Sequence, residues 1–187
     1  MKKEEIYEKS LRLFLDRGFD NTPMSLIAKE LGLSKGGLFH HFASKEKLLY
    51  EIIEHILEND LVPILENAEK IADSKERITY FVRNYTKLLA NDNGARVVLH
   101  ESGRLQPNHY WKIRGIWKRI YALLSNALSE LQGSGEGKPL NKAFSAFAAL
   151  GMCTWTFYWF DYSRKGSAEE LAETFVEIFL KGFLRGD

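Results

Sequence analysis

The chain has 187 residues, 45% hydrophobic and 27% charged, which is the balance of an ordinary globular protein long enough to bury a good core. A formal net charge of +1 excludes a polycation, so any nucleic-acid footprint must be a local patch. One cysteine, Cys153, permits no internal disulfide, the N-terminal Met-Lys-Lys-Glu-Glu lacks an apolar signal core, and no run of about 18 apolar residues suggests a membrane span, so a reduced, cytoplasmic protein is expected.

Ile6, Leu11, Phe14 and Leu15 recur at helical spacing over residues 3–17, and Gly18 marks the stop. A short second helix is expected from Thr22, whose hydroxyl would cap it, with Pro23 in the first turn where its missing N–H costs nothing. Ile27, Ala28 and Leu31 give that helix an apolar face, and Gly32 ends it in the left-handed conformation. Ser34 caps a third helix in which Leu38 and Phe42 point the same way. Leu26, Leu31, Leu38 and Phe42 read as core. Helix, tight turn and second short helix make a helix-turn-helix, whose second helix is the one expected to enter a DNA major groove. Ser44 caps a fourth helix carrying Leu48, Leu49, Ile52, Ile53 and Ile56, with Glu46 well placed in its first turn and a bend or break expected near Pro63.

Every later segment keeps the helical period. Ile78, Phe81, Val82, Tyr85, Leu88 and Leu89 mark a helix over about 75–91. A shorter one runs from Gly94 to near Gly103, and a long one from Pro107 through Leu131. Gly133 to Lys138 is a flexible loop by composition. Pro139 starts a helix to about Arg164, Lys165 and Gly166 turn the chain, and Ser167 with Glu170 forms a capping box for the last helix. The expected fold is all-α with about nine helices, divided into a helix-turn-helix head (1–47) and a larger helical body (48–187).

With Leu38 and Phe42 facing inward, Gly36, Gly37 and His40 point away from the core, flanked by Lys35, Phe39 and His41. Lys35 can reach a guanine edge or a phosphate, a neutral His can donate to phosphate or accept from a base, and Phe39 offers apolar contact to a thymine methyl or a sugar. Two adjacent glycines weaken a short helix by about 1 kcal/mol each relative to Ala. Their expected use is to let the backbone come close to DNA, with N–H groups on a phosphate. His40 and His41 face different ways on a helix, so no metal pair is read there. In the body, Trp155, Tyr158, Trp159 and Tyr162 share one helix face, and Trp111, Trp117 and Tyr121 lie on a neighbouring long helix. Core and dimer packing is the plain account of this aromatic surface; an apolar pocket with Tyr85, His100, Tyr121 or Tyr158 as its polar groups is the functional one. Nothing supports an enzyme or a cofactor. His100-Glu101 lacks the second His of a zinc protease motif, no Gly-x-Ser-x-Gly elbow exists, and Gly133 to Lys138 is too short for a phosphate loop and runs into Pro139.

Ile27-Ala28, Gly32 to Gly36, Leu38, His40-His41-Phe42 and Ser44-Lys45-Glu46, preceded by Leu13-Phe14 and Arg17-Gly18-Phe19, resemble the DNA-binding domain of the TetR family of transcriptional regulators over roughly residues 5–52. Gly37 departs from the family's usual side chain, and Phe39 stands where a Tyr usually supplies a hydroxyl to the DNA backbone. The resemblance implies DNA contacts from Ser25, Ser34, Lys35, Gly36, Gly37, Phe39, His40, His41 and Lys47, with Ser25 and Lys47 gripping flanking phosphates. Glu101-Ser102 to Pro107, Trp155 to Gly166, Glu169-Glu170-Leu171 and Gly182 are similar to a subgroup, including FadR-type repressors of fatty-acid breakdown, that responds to acyl-CoA or related lipids. That implies a hydrophobic effector, an acyl-CoA or fatty-acid-like molecule, among Tyr85, His100, Trp117, Tyr121, Trp155, Tyr158 and Trp159. It also implies a homodimer in which the last two helices pair with their mates through Phe144, Phe147, Gly151, Phe175, Ile178, Phe179 and Phe183. Twofold symmetry then predicts a palindromic operator with half-sites about one helical turn (34–36 Å) or more apart. The expected protein is a repressor released by its ligand. The alternatives are a ligand-independent DNA-binding adaptor, or a regulator of multidrug efflux that responds to aromatic cations.

Overall fold

The computed structural model describes residues 2–91, 93–160 and 166–185, apart from the side chains of residues 93 and 96. Its elements are α1 (Lys3–Arg17), α2 (Met24–Glu30), α3 (Lys35–His41), α4 (Lys45–Ile56), a π-helical turn (Leu57–Leu61), α5 (Val62–Glu69), α6 (Ser74–Asn91), α7 (Asn93–Glu101), a 3₁₀ turn (Ser102–Arg104), α8 (Pro107–Gly133), α9 (Lys142–Trp159) and α10 (Ala168–Phe183). Taking α4, the π turn and α5 as one run gives nine helices among the described residues, the all-α architecture expected. The π turn falls just before Pro63, which sits in the first turn of α5. Widening the helix there relieves the clash between the proline ring and the preceding turn. Extended pairing among the described residues is limited to one bridge between Gly137 and Leu184. No helix among them is long and apolar enough to cross a membrane.

The chain packs as two compact units, Met1–Glu58 with Asn93–Ile113, and Asn59–Asp92 with Arg114–Asp187. In the first, Ile6, Phe14, Ile27, Leu38, Phe42, Leu48, Leu49, Ile52, Ile53, Val97 and Val98 are buried. Gly18 (φ 78°) ends α1, and Gly32 (φ 67°) ends α2 while Leu33 N donates back to Ala28 O at 2.9 Å. Leu26, expected in the core, is only half-buried. Thr22 does not cap α2. Pro23 is the cap residue, without a side-chain bond, and the buried Thr22 hydroxyl donates instead to Gly18 O (2.8 Å) and Leu13 O (3.3 Å). It ties the end of α1 to the start of α2, because a buried hydroxyl must be satisfied and two carbonyls at a helix end lie within reach.

In the second unit α6 packs against α9 and α10, burying Ile78, Phe81, Tyr85 and Leu89. Arg83 and Lys87 of α6 pair with Glu173 and Glu169 of α10 at 2.9 and 2.8 Å. The loop expected to be flexible is held in place. Gly137 N donates to Leu131 O, Lys138 N to Phe183 O and Arg185 N to Glu136 O, at 2.8, 2.9 and 2.8 Å. Gly137 is required there, since a Cβ would lie 2.8 Å from the Phe183 ring and 3.1 Å from Gln132 N. Helix α9 begins at Lys142 rather than Pro139, because Asn141 caps it by accepting from Ala143 N and Phe144 N at 3.0 and 3.2 Å. Ser167 accepts from Glu170 N at 3.1 Å and so caps α10; Lys165 and Tyr162 lie outside the described residues.

Candidate nucleic-acid interface

Helix α3 is seven residues long with two glycines, so propensity alone would not hold it. Two features do. The Ser34 hydroxyl accepts from Gly37 N at 3.0 Å, and Leu38 and Phe42 are almost completely buried beneath it. Their burial turns Lys35, Gly36, Phe39, His40 and His41 to solvent, with Gly37 half-buried. The outward surface is therefore the one expected, with one refinement. Gly37's N–H is committed to the cap, leaving Gly36 and Lys35 as the residues whose N–H groups have no helical acceptor.

The glycines differ in what the fold asks of them. At Gly37 a Cβ would sit 3.2 Å from Ser34 Oγ and crowd the cap. At Gly36 a Cβ would meet nothing within 4 Å and φ is ordinary, so the fold does not require glycine there. The Lys35 ammonium lies 5.9 Å from the Phe39 ring centroid, which makes one cationic and aromatic patch of the two side chains. The His40 and His41 rings, 5.8 Å apart, both face solvent.

Ser25 is exposed in the first turn of α2. Lys47 sits in the first turn of α4, its ammonium 3.5 Å from Glu51 and 4.7 Å over the Tyr50 ring. Glu51, which the sequence reading missed, joins α1 to α4: its other carboxylate oxygen accepts from Lys3 Nζ (3.0 Å) and Tyr7 Oη (2.9 Å). Burial pushes this carboxyl up, but the hydrogen bonds from Lys3 and Tyr7 and the charges of Lys3 and Lys47 outweigh it and hold it below the usual carboxylate range. The i, i+4 spacing of Lys47 and Glu51 was visible in sequence; the partners on α1 were not.

The candidate ligand residues differ in burial. Tyr85 is buried, its hydroxyl has no partner, and burial holds its proton far above the ordinary tyrosine range, so it is a neutral hydrogen-bonding group. Trp117 and Tyr121 are half-buried, and Tyr121 stacks on Phe147 at 5.3 Å. His100 belongs to the first unit, beside a cleft of about 180 Å³ lined by Phe14, Leu15, Gly18, Val97 and Glu101. Trp155, Tyr158 and Trp159, read either as packing or as pocket residues, are exposed on α9. They continue a surface stripe formed by Phe144, Phe147 and Gly151, with Ile178 exposed on α10. Of the residues expected at the dimer interface, Phe179 and Phe183 are buried within the protomer, stacked on one another at 6.2 Å, and Phe175 is half-buried. A cleft of about 220 Å³ in the second unit is lined by Glu69, Arg77, Arg119, Asn126 and Glu130 together with Ala122 and Leu123.

Residues 6–52 match the family described as bacterial regulatory proteins, tetR family, and residues 72–183 match the tetracyclin repressor-like C-terminal domain. The fatty acid metabolism regulator protein of Bacillus subtilis is 25% identical over 135 residues, 72% of this chain and 70% of that protein. The crystal structure of AibR in complex with isovaleryl coenzyme A and operator DNA superposes with a TM-score of 0.87 at 28% identity, covering 94% of this chain and 96% of that one. PfmR, a TetR family regulator from Thermus thermophilus, gives 0.85 at 30% identity, covering 94% and 97%. An exposed, capped recognition helix on a buried scaffold and two matches that together span most of the chain lead to one conclusion: this chain belongs to the TetR family of DNA-binding transcriptional regulators.

Proposed function

We propose that the chain is a dimeric repressor that holds a palindromic operator and releases it when its body binds a hydrophobic acyl ligand, an acyl-CoA or fatty-acid-like molecule. The observation that carries the DNA half is the outward surface of α3, where Lys35, Gly36, Phe39, His40 and His41 are all exposed above two buried anchors. A nearly neutral molecule gains its affinity from such a patch and from doubling it, not from bulk charge. Lys35 supplies a long donor for a guanine edge or phosphate, and Phe39 an apolar contact for a thymine methyl. Ser25 and Lys47 add phosphate contacts that set register.

The dimer half rests on the exposed stripe of α9. Phe144 is 74% exposed and Trp155 63%, and a continuous aromatic face of this kind marks a protein interface. On this reading Trp155, Tyr158 and Trp159 belong with Phe144, Phe147, Gly151 and Ile178 at the partner surface rather than in the pocket. The ligand half is supported by two relatives, the AibR complex with isovaleryl coenzyme A and the fatty acid metabolism regulator, and by the orphan hydroxyl of Tyr85. A buried hydroxyl without a partner suits an effector carbonyl.

Titrating isovaleryl-CoA, then longer acyl-CoAs, into operator-bound protein tests the ligand half. Release at micromolar ligand supports it; unchanged operator affinity across the series would remove it. By linkage, operator DNA must weaken acyl-CoA binding by the same factor.

A further inference from the structure

Two clusters in the first unit tie the reading head to the short stretch between α7 and the first turn of α8. At the first, Asp20, in the turn between α1 and α2, pairs with the Arg104 guanidinium through contacts of 2.7 and 2.8 Å. Arg104 also pairs with Glu101, and its guanidinium carbon lies 5.8 Å from the Phe19 ring centroid. Lys45, the first residue of α4, donates to Phe19 O at 2.7 Å with its ammonium 4.2 Å from the same ring. At the second, one carboxylate oxygen of Glu46 accepts from Gln106 N at 2.9 Å and from His109 Nδ1 at 2.8 Å. A carboxylate can only accept, so Nδ1 carries the proton. The His109 ring stacks flat on buried Tyr50, 3.9 Å between centroids and 12° between planes, and the Lys112 ammonium, also on α8, lies 5.6 Å from the Tyr50 ring centroid.

These contacts share a geometric property. Asp20 and Glu46 flank the helix-turn-helix: one precedes α2, and the other follows α3 by five residues. Their partners Arg104, Gln106 and His109 all lie within six residues, ending in the first turn of α8. Leu105, between Arg104 and Gln106, and Ser102, two residues before Arg104, are buried and anchor that stretch. None of these side chains is on the outward face of α3, so none can read a base.

We propose that Asp20 and Glu46, held by Arg104 and by Gln106 with His109, are positioning residues that fix the angle of the recognition helix and thereby set the half-site spacing the dimer accepts. The proposal rests on the dimeric DNA-reading function above and deepens it. Base preference resides in α3; spacing preference resides in this double latch. A head released from the latch still reads one half-site, but it no longer requires the second half-site at a single distance.

The test uses the full-length protein and duplexes selected by it from a random pool, rebuilt as a single half-site and as inverted repeats with the spacer changed by one and two base pairs. The variants are Asp20→Ala with Glu46→Ala on the head side, and Arg104→Ala with His109→Ala on the other. Wild type should favour one spacing by about tenfold or more over its neighbours, and each double variant should reduce that preference to within about twofold. Affinity for the single half-site should stay within about twofold in all of them. Retained spacing preference in both variants would overturn the proposal. So would an equal loss on the single half-site, which would mean that the residues support folding or touch DNA. Should the wild type enrich no duplex at all, the DNA-reading function fails, and this inference with it. Melting curves identify a variant that fails to fold, and the Arg104 and His109 single variants, which leave the head unchanged, then decide.

Discussion

Gly36 is the residue at which fold and function separate most cleanly. Its backbone is ordinary and a Cβ there would meet open space, so alanine should stabilise α3 by up to about 1 kcal/mol and raise Tm by a few degrees. If the glycine serves close approach to DNA, the same Gly36→Ala change should weaken operator binding about tenfold. A calorimetric melt and a binding titration on one sample check both, and a stabilised variant with normal affinity would deny Gly36 any role at the DNA. Lys35→Ala should weaken binding and lower the slope of log affinity against log salt by about one, whereas a lysine bound only to a base edge would leave that slope nearly unchanged. Glu51 offers a prediction in pH. Its folded pKa is depressed, so the ionised carboxylate contributes stability above the ordinary value of 4.5, and that contribution is lost as pH falls through the lower folded value. Glu51→Gln should therefore cost about 1–2 kcal/mol at pH 7, with the gap to wild type closing in acid. A pH-independent difference would show that the carboxylate's charge is irrelevant.

Helix α3 depends on its cap more than a longer helix would. Ser34→Ala removes the acceptor for Gly37 N–H and should cost about 1 kcal/mol, and local amide exchange in residues 35–38 should rise more than elsewhere. At this scale much of the molecule was legible in its sequence. Ser34, Ser44 and Ser167 cap where their positions imply, and Gly18 and Gly32 stop their helices in left-handed or related conformations. The failures share a cause. Thr22 looked like a cap, but its hydroxyl is buried against carbonyls nine and four residues back, a tertiary setting that local pattern does not record. Gly133 to Lys138 looked loose by composition, yet its backbone pairs with the end of α10, almost fifty residues on. Tyr7 with Glu51, Asp20 with Arg104 and Glu46 with His109 are likewise separated by 44, 84 and 63 residues. Periodicity and capping rules act within about one turn, so they find the recognition helix and not the groups that aim it.

The whole molecule works by doubling. One short recognition helix on a chain of net charge +1 gives few phosphate contacts, and specific affinity has to come from two copies in register. The aromatic stripe of α9 is the surface available for pairing, so Phe144→Glu should shift the protein from dimer to monomer in sedimentation and reduce operator affinity by far more than single half-site affinity. A variant that stays dimeric would place the interface elsewhere. The most direct test of the account is selection of duplexes from a random pool by the full-length protein. An inverted repeat whose half-sites lie about 10 base pairs, or a multiple, apart should be enriched, and His40→Ala with Lys35→Ala should abolish that enrichment. Enrichment of a single asymmetric site, or an inverted repeat bound equally well by that double variant, would contradict it.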